Sequence, residues 1–307
     1  MLETLKSLAD PCRLRLLGIL LAGEFTVQEL TRIMGMGQSR ISRHLKILTE
    51  AGVLSVKRQG TWSYYRAGGE NRFYIAIRPA VEEELARLAE RPADLAAVAA
   101  VLDERRRRSQ EFFDRHADQW DTLARTLVPV PDYREQLLAL VPAGGCVVEI
   151  GVGTGGLLPA VAARSERVIG VDHSPAMLEE ARRRLATAGI AGIDLRLGEM
   201  SHLPLPDNGV DSVVLNMVLH HAADPLAVLT EIRRILVPGG TLVLADLARH
   251  EREWVRERLA DQWLGFEEEE LTGWLTAAGF ANSHCERVSG TDGQVAVLLV
   301  RALGNVR

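Results

Sequence analysis

Apolar positions in the first seventy residues hold a helical period and then change to an alternating one. Leu5, Leu8, Leu16, Leu17 and Leu20 recur at helical spacing, with a fresh helical start at Asp10-Pro11 and a stop at Gly23. Thr26 and Glu29 then stand three residues apart, the spacing of a capping box, with Leu30 and Ile33 on one face behind them. Gly35-Met36-Gly37 interrupts the pattern, and a second helix is expected from about Gln38 to Glu50. Two short helices around a glycine turn form a helix-turn-helix.

The second helix divides into two faces. Ile41, Leu45 and Leu48 fall on the core side, and Ser39, Ser42, Arg43 and Lys46 on the other, with Arg40 and His44 on the flanks. Laid in a major groove, such a face offers hydroxyl and guanidinium donors to bases and phosphates. Alone it reads better as a solvated basic face on a structural helix. The runs 53–58 and 61–66 then alternate around Gln59-Gly60, a β-hairpin whose tip carries Lys57 and Arg58. A basic wing beside such a helix is suited to phosphate contacts, and the combination points to double-stranded DNA.

Residues 80–110 read as helical in two pieces broken at Arg91-Pro92. Val81, Leu85 and Leu88 form one apolar face, and Leu95, Val98 and Leu102 another. The run Arg105–Arg108 is taken as a solvated helix end in preference to a phosphate-binding patch.

From Cys146 onward, short apolar runs alternate with helical ones. Strands are expected at Cys146–Ile150, Arg167–Val171, Ile193–Leu197, Asp211–Leu215 and Thr241–Leu247, and the alternation signals a doubly wound, Rossmann-like α/β sheet. After a helix at Glu267–Ala278, the runs Ser283–Ser289 and Gln294–Ala302 read as an antiparallel edge hairpin turning through Gly290, Thr291, Asp292 and Gly293. The first strand leads into Glu149-Ile150-Gly151-Val152-Gly153-Thr154-Gly155-Gly156, where glycines let backbone turn sharply and approach a ligand. Gly151, Gly153 and Gly156 also satisfy the dinucleotide pattern G-x-G-x-x-G, and Asp172 suits a ribose in either reading. Glu149, two residues before the first glycine, and the terminal hairpin favour S-adenosylmethionine (SAM) over a nicotinamide.

Composition adds limits. The 307 residues suffice for two domains, and 47% apolar with 25% charged residues describes a well-cored globular chain. Three scattered cysteines, Cys12, Cys146 and Cys285, provide neither a disulfide framework nor a thiolate cluster. With no bilayer-length apolar stretch and no convincing signal peptide, the chain reads as cytoplasmic, with no membrane partner. Residues 1–68 hold ten Lys/Arg against five Asp/Glu, so a basic head sits on an acidic body within a net charge of −5. The expected division is a winged helix-turn-helix over 1–70, a helical connector, dimerisation and lid segment over 71–125, and the α/β domain over 126–307.

The segment LADPCRLRLLGILLAGEFTVQELTRIMGMGQSRISRHLKILTEAGVLSVKRQGTWSYYRA, residues 8–67, resembles the ArsR-type winged-helix repressors. That resemblance implies a homodimer reading a palindromic operator. Metal-sensing members carry a cysteine pair in the helix before the glycine turn. Thr26, Val27 and Gln28 stand there instead, so metal sensing is not expected.

The segments VVEIGVGTGGLLPAVA, VIGVDHSPAMLEEAR and LRLGEMSHLPLPDNGVDSVVLNMVLHHAADPLAVLTEIRRILVPGGTLVLADL resemble class I SAM-dependent methyltransferases, particularly the ubiquinone/menaquinone group. The resemblance implies SAM or its demethylated product, S-adenosylhomocysteine (SAH), as ligand. It places Glu149, Gly151, Gly153 and Gly155 around the methionyl part, Asp172 at the ribose, and His173 and Met177 near the adenosine. Glu199, where Asp is usual, would receive the adenine amino group, with Met200 beside the ring and Asn216 near the sulfonium. Met177 also fits a core position and Asn216 a strand cap. FFDRHADQWD, residues 112–121, resembles an aromatic lead-in covering bound SAM, making Phe113, His116 and Trp120 lid candidates beside a reading as surface-helix aromatics.

His220 and His221 are the candidate bases, with a structural role equally open. The strand end Asn216-Met217-Val218-Leu219 lacks the Asn/Asp-Pro-Pro-aromatic run that grips an extruded base, so a DNA acceptor is set aside. Arsenite is set aside because no cysteines cluster near the site, and no acidic pair indicates a metal. Two functions remain: a regulator sensing SAM or SAH, as fused regulators of methionine-cycle genes do by resemblance, or an active methyltransferase of a small-molecule acceptor.

Overall fold

The computed structural model describes residues 1–305 apart from Glu70 and Asp292, and divides into two compact units, Met1–Arg105 and Arg106–Arg307. The first unit contains α1 (Leu2–Leu8), α2 (Pro11–Leu20), β1 (Phe25–Thr26), α3 (Val27–Met34), α4 (Gln38–Glu50), β2 (Leu54–Gln59), β3 (Trp62–Ala67) and α5 (Arg72–Ala86). The division falls within α6 (Arg91–His116), so segment 71–125 is shared between the units.

Local chemistry sets these helices. Asp10 caps α2 by accepting from the Arg13 N–H at 3.0 Å, with Pro11 in the first turn. The capping box of α3 forms as its spacing predicts: Thr26 N–H donates to Glu29 Oε2 at 2.8 Å, and Glu29 N–H to Thr26 Oγ1 at 3.3 Å. Gly35 ends α3 in the left-handed region, φ 62°. Leu16, Leu17, Ile19, Phe25, Leu30, Ile41, Leu45 and Leu48 bury completely into one core. Leu5, which shares their helical spacing, is instead 44% exposed on α1.

The wing turns one residue later than its sequence suggests. Gln59 pairs with Trp62, leaving Gly60-Thr61 as the two-residue turn, with Gly60 at φ 61°. β1, two residues long, completes a sheet of order β1-β3-β2. No alternating run announces a strand that short. Past Asn71, whose Oδ1 accepts from the N–H groups of Phe73 and Tyr74 at 3.0 Å, α5 starts eight residues before its expected position at 80 and runs through Pro79. Arg105 is no solvated helix end: it lies mid-helix, buried, in contact with Glu29.

The second unit continues with α7 (Trp120–Leu127), α8 (Arg134–Leu140), β4 (Cys146–Ile150), α9 (Leu158–Ala162), β5 (Arg167–Asp172), α10 (Pro175–Thr187), β6 (Asp194–Leu197) and β7 (Val210–Asn216). A 3-10 turn (Leu219–His221) leads to α11 (Pro225–Ile235), β8 (Leu236–Leu247), α12 (Val255–Arg258), α13 (Glu268–Ala277), β9 (Phe280–Val288) and β10 (Val297–Gly304). The sheet order is β6-β5-β4-β7-β8-β10-β9, with the first five strands parallel and β10 antiparallel to both its neighbours. Asp292, in the expected hairpin turn, lies outside the described residues. β8 begins at Leu236, ahead of the expected Thr241, and its pairing with β7 shifts register from Val210↔Leu236 to Ser212↔Thr241, so that 237–240 form an irregularity within the strand.

The order of succession switches sides at β4, with β5 and β6 added on one side and β7 and β8 on the other, and the crevice at the carboxyl ends of the strands at such a switch point is where open α/β sheets bind ligands.

Candidate functional site

On α4, Ser39, Arg40, Ser42, Arg43 and Lys46 are exposed together, while Ile41, Leu45 and Leu48 on the reverse face are buried. His44 departs from its expected place beside them. It is 9% exposed and turned toward Asp10, with Nδ1 3.9 Å from the carboxylate, because the helix period carries it onto the core side next to Leu45. On the wing Arg58 is exposed and Lys57 half-buried.

In the second unit the turn after β4 forms a polar cradle. Gly151 is required twice: its φ is 69°, and an added Cβ would lie 2.2 Å from the Val218 side chain. Around Gly153 and Gly156 an added Cβ meets nothing within 4 Å, so their backbone borders open space. Gly155 presses the turn onto α10, where its Cβ would stand 3.1 Å from that of Ala181. Asp172, at the end of β5, accepts from Gly153 N–H at 2.8 Å through Oδ2 and from Ser174 N–H at 2.9 Å through Oδ1. Burial pushes its pKa up, while His173 and these N–H groups pull against that rise.

Glu149 is 2% exposed, lines the cavity beside the turn, and has no hydrogen-bond partner at Oε2. Burial, with Asp172 adding repulsion, pushes its carboxyl up to about 8. The folded state therefore keeps a proton that the unfolded chain releases at about 4.5, and stability should fall as pH rises from there to about 8. Glu149→Gln should flatten that fall in melting temperature measured across the interval, and an unchanged profile would disprove the linkage.

A cavity of about 680 Å³ opens from this cradle, lined by Glu149, Gly153, Asn216, Met217, His220 and Asp261 among others. Tyr133 donates its hydroxyl to Asn216 Oδ1 at 2.8 Å, and its burial keeps the phenol neutral. A second hollow of about 40 Å³ is bounded by Phe113, Trp120, Asp172, His173, Met177, Met200 and His221. Phe113 meets Met177 there and stands edge-on to Trp120, His173 and His221 at 4.9, 5.8 and 4.9 Å. Of the three lid candidates, Phe113 and Trp120 face this hollow. His116 instead stacks on Phe112 at 4.3 Å. Glu199 lies in the turn after β6, bridged to His202, and borders neither space, whereas Met200 does.

At the far end of the larger cavity, His220 Nδ1 lies 2.7 Å from Asp246 Oδ1, and Asp246 also accepts from the N–H groups of Leu219 and Leu247. Burial alone would lower the His220 pKa, but Asp246 and Asp261 raise it to about 9. A histidine held protonated at neutral pH is a poor base, which weighs against that role. His221 is held neutral by burial and by its neighbour His220. Asp261, 3% exposed, was not singled out from sequence: it arrives from a loop forty residues downstream, with no local pattern to mark it.

Residues 10–56 match the family model described as bacterial regulatory protein, arsR family, and residues 148–244 match a methyltransferase domain model. The chain pairs an arsR-family helix-turn-helix with a methyltransferase domain. Similar curated proteins include a demethylmenaquinone methyltransferase of Symbiobacterium thermophilum, 32% identical over 49% of this chain and 58% of that protein. An arsenite methyltransferase of Halobacterium salinarum is 32% identical over 36% of this chain and 29% of its own length. The chain thus spans 58% and 29% of the lengths of these two relatives. Among solved structures, a SAM-dependent methyltransferase of Aquifex aeolicus aligns with TM-score 0.50 and 22% identity, covering 62% of this chain and 97% of that one. At that identity the likeness shows the fold of the methyltransferase domain. None of Cys12, Cys146 and Cys285 lines the methyltransferase domain's larger cavity.

Proposed function

We propose that this chain is a DNA-binding transcription regulator whose methyltransferase domain binds SAM and serves methyl transfer to a small acceptor. The cradle of Glu149, the glycine turn and Asp172, opening directly onto a cavity of about 680 Å³, is the observation that carries this reading.

The residues present fit the ligand. The unpartnered Glu149 Oε2 suits an ammonium, the open space at Gly153 and Gly156 admits a chain close to backbone, and Asp172 suits a ribose diol. Gly151 and Gly155 shape the turn, while His173, Met177 and Met200 border the hollow on the adenosine side. Asn216, held by Tyr133, stands where strand β7 ends beside the cavity. When bound, SAM supplies a methyl group already activated on a sulfonium. The chain's part is then to orient an acceptor and to exclude water, with Val128, Leu247 and Leu259 providing apolar wall. Purified protein incubated with methyl-labelled SAM and a metabolite pool should label a small molecule. Tight SAM binding without labelling of any acceptor would refute turnover.

A second reading, a sensor of SAM or SAH, draws on the exposed face of α4 carried by the same chain. As a homodimer, with exposed Leu2, Leu5, Ile75 and Leu95 available for pairing, it would read a two-fold operator. Operator affinity at fixed salt should then differ with and without SAH, and equal affinities would remove SAH as effector. Arg43→Ala should weaken operator binding by about 1–3 kcal/mol and relax sequence preference, whereas Lys46→Ala should weaken all sequences alike. Titrations against operator and scrambled duplex separate these outcomes.

A further inference from the structure

We propose that His220, His221 and Asp261 form a binding site for a divalent first-row cation, zinc by the character of the donors, in the wall between the two cavities of the methyltransferase domain. His220 and Asp261 line the larger cavity and His221 the smaller, and one ligand atom from each residue lies within 4.8 Å of the others.

Spacing is the first argument. His220 Nε2 stands 3.8 Å from Asp261 Oδ1, and His221 Nδ1 stands 3.6 Å from the same oxygen, with a long 3.4 Å contact to the Ala260 carbonyl that a metal ion would replace. Both histidine–aspartate separations are too long for hydrogen bonds. Around a tetrahedral zinc with bonds of about 2.0–2.1 Å, neighbouring ligand atoms lie about 3.3 Å apart, so the two histidine–aspartate spacings need only a few tenths of an ångström of closure.

Satisfaction is the second. Both carboxylate oxygens of Asp261 lack a hydrogen-bond partner although the residue is 3% exposed. Two imidazoles stand within reach and bond to neither oxygen. A carboxylate buried only for packing would cost free energy in this state, and an ion on its open side removes that cost.

Orientation is the third. His220 directs Nδ1 to Asp246 at 2.7 Å, which leaves Nε2 turned toward Asp261. A carboxylate fixing the far nitrogen of a ligating histidine is the usual outer partner of a zinc-bound imidazole, and Asp246 is itself held by three backbone N–H groups. Metal binding would displace the proton that His220 otherwise carries, and with both imidazoles then neutral a divalent cation takes over the balancing of the Asp246 and Asp261 carboxylates.

Two histidines and one carboxylate leave a fourth position, which the lining residues His220 and Asp261 place toward the larger cavity. A ligand there would be an acceptor bearing an ionisable oxygen or sulfur, and the metal would hold it as the anion. The metal site stands on its own residues; only this use rests on the methyl-transfer reading.

The test uses the full chain, stripped with a chelator and titrated with cobalt(II) as a spectroscopic substitute. Visible bands of four-coordinate cobalt should saturate at about one ion per chain and vanish on addition of zinc. Asp261→Asn should abolish the bands, and Asp261→Glu, which retains a carboxylate, should keep them at shifted wavelengths. SAM affinity, measured separately by calorimetry on the same stripped protein, reports on the cofactor reading. Bands absent from the wild type, or unchanged in Asp261→Asn, would overturn the site whatever the calorimetry gives.

Discussion

Asp172→Ala is expected to weaken SAM binding by about 100-fold or more. Hydrogen bonds to a charged acceptor contribute about 1.5–3 kcal/mol each, and a ribose diol offers two. The same carboxylate also organises the cradle, since its two oxygens accept from Gly153 and Ser174 N–H groups. Its removal frees the turn as well as the sugar. Asp172→Asn, with one acceptor oxygen and no charge, should fall between the variant and the wild type. Calorimetry on folded protein decides the matter, and an Asp172→Ala affinity within a factor of about three of wild type would defeat the assignment of this residue.

Arg105→Ala should destabilise the helix-turn-helix unit by about 3 kcal/mol, toward the lower end expected when one member of a buried ion pair is removed. Arg105 donates to both oxygens of Glu29 at 2.8 Å and to the Glu24 carbonyl at 3.1 Å, and its guanidinium lies 5.5 Å from the centre of the Phe25 ring. The loss is moderated because Glu29 keeps its capping bonds to Thr26. Arg105→Lys should recover only part of it, since an ammonium cannot span both oxygens. Amide hydrogen exchange reads the effect locally. Protection of the slowest amides in α3 and α4 should drop in the variant, and unchanged protection there would contradict the proposed anchoring.

What the sequence disclosed follows from how far apart the interacting residues lie. The capping box at Thr26 and Glu29, the stop at Gly35 and the bounds of α4 depend on neighbours within a turn of helix, and each is written locally. The parallel strands were equally legible, since β4 and β7 are buried along most of their length and carry short apolar runs, Val147-Val148 and Val213-Val214-Leu215. Arg105 was misread because its partner Glu29 lies 76 positions away, and four consecutive arginines look solvated when seen alone. His44, set on the flank by spacing, lies on the inner face, three residues past Ile41 and four before Leu48. Within the candidate site, the turn and Asp172 follow from strand ends and spacing. Tyr133 and Asp261 reach it from loops whose courses only tertiary packing determines.

The placement of β10 between β8 and β9 has a consequence for biosynthesis. β9 leaves the ribosome first, yet the neighbour it hydrogen-bonds is made afterwards. Until residues 297–304 emerge, β8 presents a bare edge and β9 has nowhere to dock, an arrangement that invites pairing with other nascent chains. The helix-turn-helix core, contained within the first 105 residues, is by then already synthesised. Translation therefore completes the helix-turn-helix unit before the methyltransferase sheet can close.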